Sequence, residues 1–341
     1  MSSSNLTAVA PSATPTRTIP PILVFAVKAA FSGGLLCLLF SRIDVAQFWG
    51  VATQSSVPWL VAALGSYLVT VLVSSWRWHR LLSIQTVRLP YRTVTESFLV
   101  SLFFNNFLPT NIGGDVMRVR DTARSAGSST RAMTVVVADR VAGLIGLFLF
   151  AAAGGAMMAR DQLPFSVVWI WLALMGGTGA SIAALFVPSL FAPILGRLHG
   201  LRGGWVGRQL GALGGSLRHF REAPAGLCAV LAASVIIQAT FILFYVAVAR
   251  SLGVRVPVFE MALIVPLVGL IQLLPLSVNG FGVREATFTV LFGRVGVSAE
   301  SALLISLEAT ALILAFSLSG ALAYVLRGQM SRDAESTAGR S

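Results

Sequence analysis

The chain has 341 residues, 56% hydrophobic and 11% charged, with a formal net charge of +12 and a mean hydropathy of +0.82. Soluble domains carry about 25% charged residues, so there is too little polar side chain here to cover a water-solvated globule. The apolar content equally excludes a disordered chain, and apolar runs of about 20 residues, enough to cross a bilayer as helices, are what the sequence is made of.

In a soluble protein this positive charge would point to nucleic acid. Among apolar runs it reports topology instead, and no nucleic-acid partner is expected. Arginine supplies 24 of the 25 basic residues and Lys28 is the only lysine, a skew that a GC-biased genome explains. Cys37 and Cys228 each lie inside an apolar run and read as packing residues, not as a disulfide framework or a metal cluster. There is no Walker loop, no His-x-x-Glu-His site and no Gly-x-Ser-x-Gly elbow. His79, His199 and His219 lie in expected loops without ligand spacing. No metal or other cofactor is expected, and no catalytic residue is assigned.

In chain order, residues 1–21 are a Ser/Thr/Pro/Ala-rich stretch expected to be a disordered cytoplasmic tail. A single transmembrane domain is expected over 22–327, with crossing helices at 22–40, 57–75, 133–158, 165–187, 225–249 and 301–326. A cytoplasmic tail, 328–341, closes the chain. Two apolar stretches do not fit this scheme. Phe98–Leu108 is too short to span and runs into Pro109, Gly113 and Gly114. Met261–Leu276 is interrupted by Pro266 and Pro275 and followed by Gly280 and Gly282. Such breaks survive in a bilayer only within protein or beside a water-filled cavity.

Charge assigns the first short stretch. Arg77, Arg80, Arg88 and Arg92 precede it, and Arg118, Arg120, Arg124 and Arg131 follow it. Both flanks are therefore expected in the cytoplasm, which makes the stretch a re-entrant hairpin. Counting on, the basic linker 188–224 and the tail from Arg327 also fall inside, so both termini are expected on the cytoplasmic side of the inner membrane. Within that linker, apolar residues from Leu198 to Phe220 have roughly helical spacing, which suits either an interfacial helix or a flexible basic connector.

The two awkward stretches match each other. Glycine follows proline by five residues and arginine follows it by nine, as Pro109, Gly114, Arg118 and again as Pro275, Gly280, Arg284, 166 residues later. A span precedes and follows each. The expected fold is therefore an all-α polytopic membrane protein of about six crossing helices plus two re-entrant, Pro/Gly-broken hairpins. These form an inverted internal repeat, with repeat 1 near 57–158 and repeat 2 near 225–326. Inverted repeats with broken helices place a binding site near the midplane, where half-helix ends offer unpaired backbone groups.

An ionisable residue at the bilayer centre costs about 2.5–3.5 kcal/mol on insertion scales, so each needs a reason. Lys28 is near enough to the end of its span to snorkel. Asp139, Arg140 and Glu308 lie within spans, while Asp115 and Arg118 follow the first break and Arg284 and Glu285 the second. Arg118 and Arg284, at equivalent places, are expected to hold a phosphate bidentately. Asp115, Glu285, Glu308, Asp139 and Arg140 complete the expected headgroup site, with Asn105, Asn106, Asn111 and Asn279 adding neutral hydrogen-bonding groups.

Three motifs carry a family resemblance. Phe104-Asn105-Asn106-Phe107-Leu108-Pro109 with Gly113-Gly114-Asp115 and Arg118 resembles the signature of the lysylphosphatidylglycerol synthase transmembrane-region family, also called flippase-like domain proteins. Asp139-Arg140-Val141-Ala142-Gly143-Leu144 resembles its next element, and Asn279-Gly280-Phe281-Gly282-Val283-Arg284-Glu285-Ala286 its second-half motif. The resemblance covers about 22 to 330. In the multiple peptide resistance factor such a domain moves aminoacylated phosphatidylglycerol between leaflets and precedes a soluble aminoacyl-transferase. This chain ends soon after its last expected span, so synthesis of that lipid is not expected of it.

The resemblance and the breaks together imply a lipid translocator, with membrane phospholipids as partners and movement downhill or ion-coupled. A separate lipid-modifying enzyme is a further expected partner, and a homodimer is compatible with the sequence. An integral-membrane enzyme using Glu308 or Asp139 as base, and a non-transporting partner of another membrane enzyme, are the alternatives.

Overall fold

The structure, a computed structural model, describes residues 21–41, 45–53, 55–107, 113–158, 165–186, 222–274, 277 and 279–338. The N-terminal tail, the linker helix, Asn111, Pro109 and Pro275, and the side chain of Lys28, fall outside the described residues. Among the described residues there are eleven helices and no strand. They are α1 (Pro21–Phe40), α2 (Val45–Ala52), α3 (Val57–Ile84), α4 (Tyr91–Phe107), α5 (Gly113–Ala126), α6 (Ser129–Met158), α7 (Phe165–Phe186), α8 (Pro224–Ser251), α9 (Val258–Gln272), α10 (Val283–Gly293) and α11 (Ala299–Ala338).

Among the described residues, α3, α6, α8 and α11 are long and apolar enough to cross a membrane. Helices α1 and α7 coincide in bounds with the expected spans 22–40 and 165–187. The stretch 76–96, expected as a loop, is instead the end of α3, a short connector and the start of α4. Its arginines do not break the helix because arginine is a good helix former and Arg77 is buried against other helices. Likewise α11 runs on to Ala338, into the stretch expected as a tail.

The centre of the molecule is an antiparallel pair, α3 against α8. At one end the Ser56 N–H donates to the Ser251 carbonyl at 2.9 Å. Further along, Ser66 Oγ donates to the Thr240 carbonyl and the Thr70 and Thr240 hydroxyls pair, each at 2.8 Å. Near the other end, Gly226 lets the Ile84 side chain come within 2.9 Å of where a Cβ would stand. Residue numbers rise along one helix as they fall along the other.

Helices α4, α5, α9 and α10 have 17, 14, 15 and 11 residues, each short of the roughly 20 needed to cross alone. They come in two pairs. Helices α4 and α5 are antiparallel, since Ser97 Oγ reaches Asp121 Oδ2 at 2.5 Å and the Gly114 N–H donates to Asn105 Oδ1 at 2.9 Å. Helix α5 lies on α6 and α10 lies on α11, while each pair's first helix crosses to the other half: α4 packs on α11 and α9 on α6.

Those two crossings rest on glycines. A Cβ at Gly154 of α6 would stand 2.6 Å from the Leu263 nitrogen of α9, and one at Gly320 of α11 would stand 2.0 Å from the Leu99 carbonyl oxygen of α4. Gly154 and Gly320 are 166 residues apart, the interval that separates the prolines. Small residues that let helix backbones touch are the usual basis of packing in lipid, where no hydrophobic drive separates helix from tail.

The largest buried cluster runs through α3, α8, α9, α10 and α11 around Tyr67, Phe244, Phe288 and Phe292, and a second gathers α3, α4, α6 and α8 around Trp78, Leu81 and Leu227. Outward, α3 exposes Trp59, Val61, Leu68, Val69, Leu72 and Trp76, the apolar face that lipid requires. The close approaches predict a stability difference. Gly154→Leu and Gly320→Leu each destabilise by about 1–3 kcal/mol through overpacking, read as a lower thermal unfolding midpoint in detergent. Gly33→Ala, where a Cβ meets nothing within 4 Å, does not lower it.

Candidate functional site

Among the described residues, the buried charged side chains gather in two places. In the first, Asp139 of α6 is held on both carboxylate oxygens. Arg77 Nε of α3 donates to Oδ1 at 2.8 Å and Arg118 Nη2 of α5 to Oδ2 at 2.9 Å. Arg77 also donates from Nη1 to Ser234 Oγ of α8 at 2.9 Å. Arg118 Nη1 lies 3.6 Å from Asp115 Oδ1, and Arg140 pairs with the other oxygen of Asp115. Arg118 is stacked, its Cζ 4.3 Å from the centre of the Trp78 ring and 5.2 Å from that of Phe98. An aromatic face supplies part of what water would give a guanidinium. Three arginines and two aspartates leave this cluster with one excess positive charge.

In the second half, Glu285 of α10 is fully buried. Its Oε1 accepts from Arg284 Nε at 3.0 Å, from Arg284 Nη2 at 2.9 Å and from Ser306 Oγ at 3.2 Å, while Oε2 accepts the Gly282 N–H at 2.6 Å. This group is neutral. The backbone leading into it is left-handed at three positions, with φ of 52° at Asn279, 78° at Gly280 and 81° at Gly282. Glycine takes these angles without strain and asparagine is among the few other residues that tolerate them.

The tips of the two short pairs meet. Asn279 Nδ2 donates to the Asn106 carbonyl at 2.7 Å, and a cavity of about 360 Å³ opens beside that bond. Its polar lining is Asn105 and Asn106 from α4, Arg140 from α6, Gln272 from α9, then Asn279, Gly280 and Arg284. Its apolar wall includes Phe241, Tyr245, Val268, Phe288 and Ile313. The size suits a small-molecule site, as does an apolar wall with a few convergent polar groups.

Five of the polar residues expected from sequence, Asn105, Asn106, Arg140, Asn279 and Arg284, line this cavity, together with Gly280 of the second break. Glu285 stands behind Arg284, and Asp115 and Asp139 stand behind Arg140 and Arg118. Arg118 does not line the cavity: it is 5% exposed and occupied by Asp139, Asp115 and Trp78. Glu308 lies apart, its Oε1 accepting from Ser251 Oγ at 3.2 Å near the end of α8. Gly113 opens α5, and Gly114 lies against the Ser101 carbonyl, where a Cβ would stand 2.2 Å away.

Arg77, Ser234, Ser306 and Gln272 escaped the sequence reading. Arg77 looked like a loop charge, yet Tyr67, Thr70, Ser74, Arg77 and Leu81 follow one helical stripe, and all five are buried. That periodicity was the available signal. Gly282 acts beyond its break, because its N–H anchors Glu285.

The description "lysylphosphatidylglycerol synthase TM region" matches residues 25–320, from α1 into α11. The chain belongs to the lysylphosphatidylglycerol synthase transmembrane-region family. The match takes in both ion clusters and both short helix pairs, so the cavity lies within the family's own region. The chain is also similar to a UPF0104 membrane protein of Pyrococcus horikoshii, 24% identical over 277 residues, covering 74% of this chain and 81% of that one.

For this family member the Asp139 cluster predicts a strong asymmetry between charges. Asp139→Asn leaves Arg77 and Arg118 buried without their shared counter-charge, at a cost of about 3–5 kcal/mol. The expected readout is a steep fall in detergent-solubilised thermal stability. Arg92→Gln, which loses only an exposed partner of Glu96, costs less than about 1 kcal/mol.

Proposed function

We propose that the chain is a lipid translocator of the cytoplasmic membrane, which lets a phospholipid headgroup cross through the polar cavity while its acyl chains stay in lipid. The meeting of two non-crossing helix pairs, tip to tip, at a cavity bearing Arg140 and Arg284 carries this reading. Hydrophobic helices alone present a headgroup with a prohibitive step, since polar groups cannot be left unpaired in hydrocarbon. A cavity lined by guanidinium and amide groups replaces the water that a headgroup gives up.

On this reading the two halves are inverted repeats, each contributing one re-entrant pair. Three observations support it: the antiparallel run of α3 against α8, the exchanged packing of α4 on α11 and α9 on α6, and the equivalent glycines of those crossings. With both termini in the cytoplasm, the foot of the first pair faces inward, where Arg327 of α11 meets Glu96 at 3.3 Å and Asp121 at 3.1 Å. A lipid made by a separate enzyme would enter from that side. Movement runs down the lipid's own gradient or is coupled to an ion.

Two measurements test this. In proteoliposomes, the protein speeds the exchange of fluorescent phospholipid between leaflets, and Arg284→Gln slows it by about tenfold, the worth of one charge-assisted hydrogen bond. Exchange no faster than in protein-free vesicles, across several headgroups, sinks the reading. Separately, Ser125→Cys and Arg294→Cys, placed singly in a chain lacking Cys37 and Cys228, label from opposite sides. Labelling from one side ends the inverted arrangement.

A further inference from the structure

We infer that Glu308 is a proton-binding site, loaded from the aqueous face where α3 begins and α8 ends, and that the ion coupled to lipid movement is a proton held there. The site stands on the geometry around Glu308 alone. Its coupling to transport rests on the translocator reading.

Three helices meet at this residue. Ser55 and Ser56 lead into α3, Ser251 closes α8, and Glu308 lies in the early turns of α11. The Ser56 N–H donates to the Ser251 carbonyl across the same seam, and α2 packs on α11. The contacts of Arg327 with Glu96 and Asp121 mark the opposite end of the bundle. Ile313 of α11 and Tyr245 of α8 line the cavity. At 1.5 Å of rise per residue they stand about 8–9 Å further inward on their helices than Glu308 and Ser251. Glu308 is thus on the aqueous side of those lining residues. Ser55, which hydrogen-bonds its carboxyl group, is exposed and gives a proton a route from water.

The ionised form of Glu308 is poorly served here. Its Oε2 is buried without a hydrogen-bond partner. Its partners are the hydroxyls of Ser251 and Ser55, and no charged side chain pairs with it among the described residues. Asp115, Asp139 and Glu285, the other acids inside the bundle, each have an arginine. A carboxylate lacking such a partner is far costlier in apolar surroundings than the neutral acid, and an ionisable group kept in a membrane span at that cost marks a working site.

The hydroxyl proton of Ser251 gives an independent ground. A serine hydroxyl has one proton, yet Ser251 Oγ lies 2.6 Å from the Val248 carbonyl oxygen and 3.2 Å from Glu308 Oε1. That proton serves one acceptor or the other. A proton on the carboxyl resolves the conflict: Glu308 donates to Ser251 Oγ, and Ser251 donates to Val248.

Few other charges face this group among the described residues. Helix α2 and the outer half of α3 bring no ionisable side chain except Tyr67. Helix α8 brings Tyr245 and the exposed Arg250, and the turn into α9 brings the exposed Arg255 and then Glu260. Helix α10 brings Arg284 and Glu285, which pair with each other, and is followed by the exposed Arg294. Helix α11 itself carries Glu300, two turns outward, and the ionisable residues of α4, Arg92 and Glu96, lie at the far end.

The first test needs neither lipid nor variant. Dicyclohexylcarbodiimide adds to protonated carboxyls in apolar surroundings. The purified full-length chain in detergent is treated with it and mapped by peptide mass spectrometry. The expected result is an adduct on Glu308 that is lost as the pH is raised, with none on Glu285, which Arg284 holds ionised. No adduct on Glu308 at any pH overturns the site, as does equal labelling of Glu285. Suppression of the adduct by sodium ions at constant pH gives the seam to a metal cation and overturns the proton.

The second test reads the coupling. In proteoliposomes, a pH difference of one unit displaces the leaflet distribution of fluorescent phosphatidylglycerol by up to about tenfold, the most that one proton per lipid delivers. Glu308→Gln abolishes the displacement, and Glu308→Asp, which keeps a carboxyl, retains part of it. Leaflet exchange by the unaltered protein that ignores the pH difference overturns the coupling. An adduct on Glu308 without any leaflet exchange supports the proton site and removes the translocator reading alone.

Discussion

The bundle depends on one carboxylate. Asp139 receives a guanidinium on each oxygen, from α3 and from α5, and Arg77 reaches on to α8. Each of these charges taken singly into an apolar interior costs several kcal/mol. The arrangement is tolerable only when all partners arrive together, so four helices drawn from both halves are fixed in one mutual register. It also explains how α5, rich in arginine and aspartate, can lie inside a membrane protein at all: its Arg118 and Asp115 face into the cluster.

Around that hub the two halves share a frame but not a chemistry. Gly154 and Gly320 allow the same close crossing in each, and Arg118 and Arg284 stand at matched positions. Yet Arg118 finds its acids at Asp115 and on another helix, whereas Arg284 pairs with its own neighbour, Glu285. The first arrangement buries its arginine as a structural brace. The second leaves its arginine at the cavity wall. Matched glycine crossings with unmatched charge partners put Arg284 at the cavity wall and leave Arg118 away from it.

Much of this was legible in the residues. Long apolar runs gave the crossing helices because their composition permits nothing else, and the Pro/Gly spacing pointed to the two short pairs and to the family. The partners of the charges were less legible. Arg118 and Arg284 looked interchangeable by spacing, since sequence reports position along a chain and not which helix lies opposite. Arg77 was assigned to a loop because charge was read as topology, although its helical stripe continued through it. Glu308 looked functional as an isolated acid in an apolar run, and the structure gives it a serine at the end of α8. Gly154 and Gly320 were invisible until the helices they receive were in place.

The contact between Asn279 and Asn106 has an electrical consequence. On the proposed reading, in which two helix pairs enter from opposite faces and touch at their tips, the low-dielectric layer separating the two aqueous sides is reduced to a thin septum. Water reaching the tips from either side would carry the bulk potential inward, so on that reading the membrane voltage falls mainly across the septum and field lines concentrate there. On the proposed reading, a headgroup with one net charge samples most of the voltage within a few side chains of Asn279, worth about 2.3 kcal/mol per 100 mV. On that reading, passage of a net-anionic headgroup would be rectified by the resting potential, favouring the outward direction when the cell interior is negative.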